Sequence, residues 1–404
     1  MEKGRESIYK TEVREASKLE KNNKRKEDRV SNLPDEVLHR ILSTLDAKSA
    51  VQTCVLSKRW RHVWTSLPVL NFLDSSFDDF LHFQCFVDHF LSRRDASSNI
   101  SVLNFACTDH ELDDGHTHIV DSIIDHVTLT PPITIQGLYI VAECIVGKLP
   151  QLSICQSLTT LKLAHISTET TTFDFLSLTH LHLFDCRFEC GLEELLDPFR
   201  DCLNLKHLYL HRCQYYGGFQ RFKIFAPKLT LLSIALMRVD EMFDSDCTIQ
   251  LFTPKLQSFT YCDFDLYDFS IEGDLPFIEE VDIDMGCLAK DTYSLLQLIE
   301  LFQVMGNAQF VSLSPDIIDV LATFPDLLDG RSSPFTRVRT FVLNMDTPSS
   351  SFVIPPNVMA YLFSGSRGLD FLISMNGKVW KKVYKTSFQN EKCNTITIFL
   401  PKFL

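Results

Sequence analysis

The sequence predicts an α/β chain: a small three-helix head followed by an irregular solenoid whose parallel strands line a concave face. Three observations predict it. Short helical turns with their own start signals fill residues 31–72. A leucine pattern of fixed internal spacing then recurs through most of the remaining chain. The charge divides at the same place: residues 1–72 carry +5 and the next 332 carry −18, within a total of −13 over 404 residues.

Composition excludes several classes. A hydrophobic content of 45% with 23% charged residues fits a globular chain and argues against wholesale disorder. No apolar run approaches the ~18 residues of a membrane span, so no membrane role is expected. The first 29 residues are charged throughout and lack the apolar core of a secretory signal. Thiols are therefore expected to be reduced. The 13 cysteines are odd in number and contain no Cys-x-x-Cys, so zinc signatures fail and most read as small buried hydrophobes. The 14 glycines include no Gly-x-Gly-x-x-Gly, no phosphate-binding loop and no Gly-x-Ser-x-Gly. No catalytic residue, cofactor or metal is expected. The run His110–His118 is rich in ligand types, but Asp114 stands where a zincin needs histidine, and Asp114-Gly115 reads as a turn in a polar loop. Asn99-Ile100-Ser101 matches a glycosylation acceptor that is inert without secretion.

Residues 1–28 form a basic tail with almost no large apolar side chains, expected to be mobile. Its Lys21, Lys24, Arg25 and Lys26 read either as a nuclear localisation patch or as a solvated basic run. The expected location is the nucleus, the cytoplasm or both.

The head spans 29–75. Pro34 with Asp35 and Glu36 marks a helix start, because proline needs no N–H partner there and the acids meet the positive dipole end. Val37, Leu38, Ile41, Leu42 and Leu45 follow at helical spacing. Asp46 caps a second helix running through Cys54. Ser57 caps a third, in which Trp60, Val63 and Trp64 share a face. Three short helices make a core below the size of an independently stable unit, so apolar surface is left for a partner.

In this order and spacing, NLPDEVLHRILSTL followed by VLSKRWRHVW resembles the F-box of plant F-box proteins over residues 29–72. The resemblance implies docking onto the Skp-type adaptor of a cullin-based ubiquitin ligase. It implies Leu33, Pro34, Ile41, Leu42, Val55, Leu56 and Trp60 as adaptor-facing residues. An apolar helix face in a hydrophobic groove is a recurring recognition mode. The residues themselves also allow a three-helix cap folded onto the body.

The body, 98–345, follows the form L-x-x-L-x-L. Leu158-Leu161-Leu163, Leu178-Leu181-Leu183, Leu205-Leu208-Leu210, Leu229-Leu232-Ile234, Leu256-Phe259-Tyr261, Ile278-Val281-Ile283 and Val338-Phe341-Leu343 match it. Ile100-Leu103-Phe105, Ile135-Leu138-Ile140 and Ala308-Val311-Leu313 match more weakly. From Leu161 the central positions recur after 20, 27, 24, 27, 22, 30 and 30 residues, near the period of leucine-rich repeats. Alternation turns the two apolar residues inward and the one between them outward. Cys186 and Cys213 stand five residues after a central leucine, where a small group turns the chain off the strand. Residues 346–404 are expected to cap the open end, with strands over Leu369–Ile373 and Thr395–Leu400. Plant F-box proteins often combine the F-box with such irregular repeats, and the chain is similar to them in this respect.

Outward strand residues give a target-binding set: His182, Asp185, Tyr209, Arg212, Asp282 and Asp284. Between Lys255 and Lys290 nine acids occur with no Lys, Arg or His, and Phe259, Tyr261, Phe264, Tyr267 and Phe269 are interleaved among them. That stretch reads either as a site for a basic target segment or as a solvated acidic edge. The acidic body disfavours nucleic acid. The functional expectation, resting on the resemblance, is a non-catalytic substrate-recognition subunit of an SCF-type E3 ubiquitin ligase. It would hold the adaptor, and through it cullin, at one end and an unidentified protein target at the other. Two alternatives stand: an F-box interaction protein outside any ligase, and a small-molecule receptor within one.

Overall fold

The computed structural model describes residues 33–107, 114–129, 133–145, 149–169, 172–189, 194–239, 247–264, 266–345, 351–366, 368–375, 378–380 and 396–399. The basic tail and the His110–Asp113 run lie outside them.

The head forms as its start signals require. A helix spans Asp35–Leu42 behind Pro34, with both acids in its first turn and Arg40 in its last. Asp46 caps Ala47–Gln52, its carboxylate accepting from the Ser49 N–H at 3.0 Å, and a 3-10 turn continues to Val55. The third helix is shorter than expected: it starts at Trp60, not after Ser57, and ends at Val63.

The repeat signal translates directly into a sheet. A 16-stranded sheet among the described residues runs parallel from Val69–Leu73 to Asp370–Met375. The central residues stand in register across neighbouring strands: Leu70 on Leu103, Leu138 on Leu161, Leu181 on Leu208, Phe259 on Val281, Phe341 on Phe371. All are buried. Each contributes about 1.5–3 kcal/mol of apolar burial, which no single repeat could obtain alone. Between strands, one carbonyl accepts two N–H groups of the next repeat: Thr159 O from Thr179 and His180, Thr179 O from Lys206 and His207, Lys206 O from Thr230 and Leu231.

Both ends of the sheet depart from the expected boundaries. The first strand, Val69–Leu73, belongs to the head segment, so head and repeats share one sheet with no linker. Asn71 fastens this seam. Its amide donates to Ser43 O (3.1 Å) and Leu45 O (2.9 Å), and its Oδ1 accepts from Asn104. At the other end, the strand expected over Leu369–Ile373 is present as Asp370–Met375, the last parallel strand of the sheet. Lys378–Trp380 closes that edge antiparallel, and Ile396–Phe399 pairs antiparallel with Ser351–Ile354.

The core lies behind the sheet. At the ends it is covered by helices Phe80–Arg93, Asp114–Leu129, Thr292–Val304, Pro315–Thr323 and Pro356–Phe363. Phe83 stacks on Phe105 (5.6 Å) and Phe363 meets Phe341 (4.8 Å). In the middle a second parallel sheet replaces helices: Leu195–Leu196, Arg221–Phe225, Thr248–Phe252 and Asp268–Ile271. The expected turn at Asp114-Gly115 is instead the first turn of the Asp114–Leu129 helix, whose Ile119, Val120, Ile123, Ile124 and Val127 are buried at helical spacing.

Candidate functional site

Two surfaces carry the chain's functional candidates: the exposed side of the head and the open face of the repeat sheet.

On the head the expected set divides. Val55 is 85% exposed, Leu56 61% and Ile41 42%; Pro34 is exposed and Leu33 half-buried. These five present apolar surface, and exposed Val37 extends it. Leu42 and Trp60 do not. At 1% and 3% exposure they point into the head's own core with Leu38 and Val63, so they shape the surface from behind. In the first helix Leu38 and Leu42 stand one turn apart on the inner side, and Val37 and Ile41 one turn apart on the outer. An Arg59–Asp35 ion pair ties the start of the first helix to the residue before the third, and the guanidinium holds the Asp35 carboxyl below its usual range.

On the open face, residues between paired core positions line up across strands. His182 lies on Tyr209, ring centroids 4.1 Å apart and planes 14° from parallel. His180 meets His207 edge-on at 4.4 Å, Lys162 Nζ lies 5.3 Å from the Tyr139 ring, and His211 Nε2 bonds Ser233 Oγ at 2.8 Å. Burial, reinforced by Lys162 and the neighbouring imidazoles, lowers the His182 pKa to about 4. Burial also lowers those of His180 and His211. At neutral pH the His182–Tyr209 stack is uncharged and stands near the Lys162 ammonium.

Further along the face stand Asp282 and Asp284. Asp284 accepts from Asn344 Nδ2 at 2.8 Å. Asp282 Oδ1 is buried with no partner among the described residues, and burial raises the Asp282 pKa against a weaker opposing bond from Ser312. The acidic stretch around them is not one patch. Asp268, Glu272 and Asp274 belong to the second sheet's side, where Glu272 pairs with Lys223 at 3.1 Å. Phe259 and Tyr261 are core residues with Phe269 set edge-on against both, so they cannot anchor a partner. Phe264 and Phe277 are the exposed aromatics of this stretch.

Asp185 and Arg212 do not stand on strands. They occupy a bend just past the strand end, in the left-handed region, as Leu236 does in the next repeat; His165, at the equivalent position, takes the same conformation inside the longer Thr160–Thr168 strand (φ 59, 50, 56 and 49° for His165, Asp185, Arg212 and Leu236). There Asp185 pairs with His165 Nδ1 (3.3 Å) and Arg212 (3.7 Å), which satisfies it internally. The sequence pattern missed this bend column. Its signal was present as the residue before Cys186 and Cys213, both buried with Sγ 3.4 Å from the Leu163 and Leu183 carbonyls. No cluster of three or more metal-ligating side chains occurs among the described residues, and no described helix is long and apolar enough to cross a membrane.

Comparison with known proteins agrees with the geometry. Residues 30–72 match the F-box domain family. An F-box/FBD/LRR-repeat protein of Arabidopsis thaliana is 52% identical over 64 residues, covering 16% of this chain and 15% of that protein. A second Arabidopsis protein so described is 38% identical over 125 residues, 27% of each chain. F-box/LRR-repeat protein 25 of the same plant is 38% identical over 96 residues, 24% of this chain and 34% of the relative. The chain thus spans between about a seventh and a third of the length of these relatives.

Proposed function

This chain joins an F-box to a leucine-rich-repeat sheet in the manner of plant F-box/LRR-repeat proteins, and from that premise we propose that it is the substrate-recognition subunit of an SCF-type ubiquitin ligase. The observation that carries the reading is the division within the head. Leu38, Leu42 and Trp60 build a core, while Ile41, Val55 and Leu56 stay exposed at the segment that matches the F-box. Isolated exposed hydrophobics are ordinary; a set confined to the face of a recognition module supports a docking surface for a Skp-type adaptor.

The open face of the sheet is the proposed target surface. Stacked rings at His182 and Tyr209 offer amphipathic contact area of the kind that dominates interfaces. The unpartnered Asp282 oxygen supports a basic group on the target, since a buried carboxylate is stabilised by a matching cation. Asp185 and Arg212 are weaker candidates because they already pair with each other. The protein itself forms and breaks no bonds in this reading. It raises the target's local concentration beside the conjugating enzyme.

The test is co-purification from cells. Ile41→Asp with Leu56→Asp is expected to abolish capture of adaptor and cullin while leaving the thermal transition unchanged. Retained cullin in that variant would overturn the reading. Adaptor without cullin from the unaltered chain would favour a role outside a ligase. Asp282→Asn is expected to reduce target capture without touching adaptor binding.

A further inference from the structure

The open face of the sheet changes character between two of its strands. On His207–His211 the outward side chains are His207, Tyr209 and His211; on Glu280–Met285 they are Glu280, Asp282 and Asp284. Between them lie Leu231–Ala235 and Ser258–Asp263, whose outward residues are all uncharged. One row in register joins the two ends. Lys162 stands beside His182, His182 on Tyr209, Tyr209 beside Ser233, Ser233 beside Thr260, and Thr260 beside Asp282. At the first end the ring pair is uncharged at neutral pH, and the Lys162 ammonium beside it repels a second cation. At the other end Asp282 Oδ1 is buried with no partner among the described residues, while Asp284 already accepts from Asn344. Neither residues 256–289 nor the neighbouring strand Phe310–Leu313 holds a Lys, Arg or His to compensate these carboxylates.

Neighbouring strands lie about 4.8 Å apart, so the steps from Tyr209 to Asp282 span about 14 Å. An extended chain covers that distance in about four residues. Ser233 and Thr260 lie between, and both are small; Ser233 Oγ is turned to His211 Nε2 at 2.8 Å. A backbone can therefore pass over them. We propose, resting on the reading of the open face as the target surface, that the target segment is a short extended stretch carrying an aromatic residue and a basic residue about four positions away. The aromatic ring packs on the His182–Tyr209 pair, and the basic group meets Asp282. Charge complementarity fixes this order. A basic group at the ring end would meet Lys162, and an aromatic at the acidic end would cover the Asp282 carboxylate without compensating it. An acidic segment is repelled along the Glu280–Met285 strand.

The test displays random linear peptides to the immobilised full chain at neutral pH. Selection is expected to enrich Phe, Tyr or Trp paired with Arg or Lys at the proposed spacing. The same selection on Asp282→Asn should keep the aromatic preference and lose the basic one, and on Tyr209→Ala the reverse. Each substitution should weaken binding of an enriched peptide by about tenfold or more in fluorescence polarisation. No enrichment over an unrelated protein, enrichment without the spacing, or affinity unmoved by either substitution would overturn the proposal. Should a variant fail to fold, the spacing selected by the unaltered chain still decides. These outcomes are separate from the ligase reading, which stands or falls on cullin capture through the Ile41 and Leu56 surface.

Discussion

The imidazole of His182 lies flat on the phenol ring of Tyr209, with centroids 4.1 Å apart. The stack is formed by neutral rings, because burial and then Lys162 lower the His182 pKa from 6.5 to about 4. His126, His180 and His211 are lowered as well, each mainly by burial. A histidine depressed on folding takes up protons more readily in the unfolded chain, so acid favours unfolding. The stabilisation is fully present above pH 6.5 and is lost as the pH falls towards 4. The melting temperature is therefore expected to drop across that window. His182→Phe should lessen the drop, and parallel curves for the two proteins would remove the stack as a source.

Leu42 and Ile41 are sequence neighbours with opposite duties. Leu42→Ala empties core volume and is expected to cost about 2–5 kcal/mol, and Trp60→Ala about 3–5 kcal/mol, in urea unfolding. Val55→Asp sits at an exposed position and should change stability by less than about 0.5 kcal/mol while removing adaptor binding. Equal destabilisation by Val55→Asp and Leu42→Ala would show that Val55 is covered in the folded chain.

The same residues set how far the sequence could be read. Leu161, Leu181 and Leu208 were legible because strand alternation with a long period has no helical counterpart. Helical spacing marked Ile41, Leu42 and Trp60, and the resemblance added Val55, but neither says which apolar residue serves its own core and which a partner's. Asp268, Asp282 and Asp284 stand close in sequence yet on different sheets, since the chain here crosses from the rear sheet to the open sheet. That rear sheet left a faint signal in the alternations Phe222-x-Ile224, Ile249-x-Leu251 and Phe269-x-Ile271.

The thiols provide a test of the repeat packing. Cys85 and Cys287 are exposed, whereas Cys155, Cys202 and Cys213 are buried. Burial pushes the Cys155 thiol up to about 11 and Cys202 to about 12, and it also raises Cys213. Thiolate is the reactive form. Brief alkylation of the native protein at pH 7.5 is expected to label Cys85 and Cys287 first, with the buried three reacting only after denaturation. Early labelling of Cys213, read by peptide mass spectrometry, would show that the repeat turns open locally.

The bend column at His165, Asp185, Arg212 and Leu236 uses a conformation that L-residues adopt at a cost of about 1–2 kcal/mol. It persists because it lengthens the ladder. The N–H groups of Asp185, Arg212 and Leu236 donate to the His211, Ala235 and Cys262 carbonyls at 2.8, 2.7 and 2.7 Å. The bend also turns the next side chain inward, which places Cys186 and Cys213 in the core. Arg212→Gly relieves the strain but adds about 0.5–1 kcal/mol of unfolded-chain entropy, so it should be neutral or stabilising by up to about 1 kcal/mol. Its ion pair with Asp185 is exposed on the Arg212 side and contributes little. Arg212→Val keeps the bend's requirement and adds a β-branch that the left-handed region excludes, at an expected cost of about 1–3 kcal/mol. Urea midpoints for the pair separate the two cases, and coincident midpoints would mean that the bend relaxes to ordinary backbone in solution.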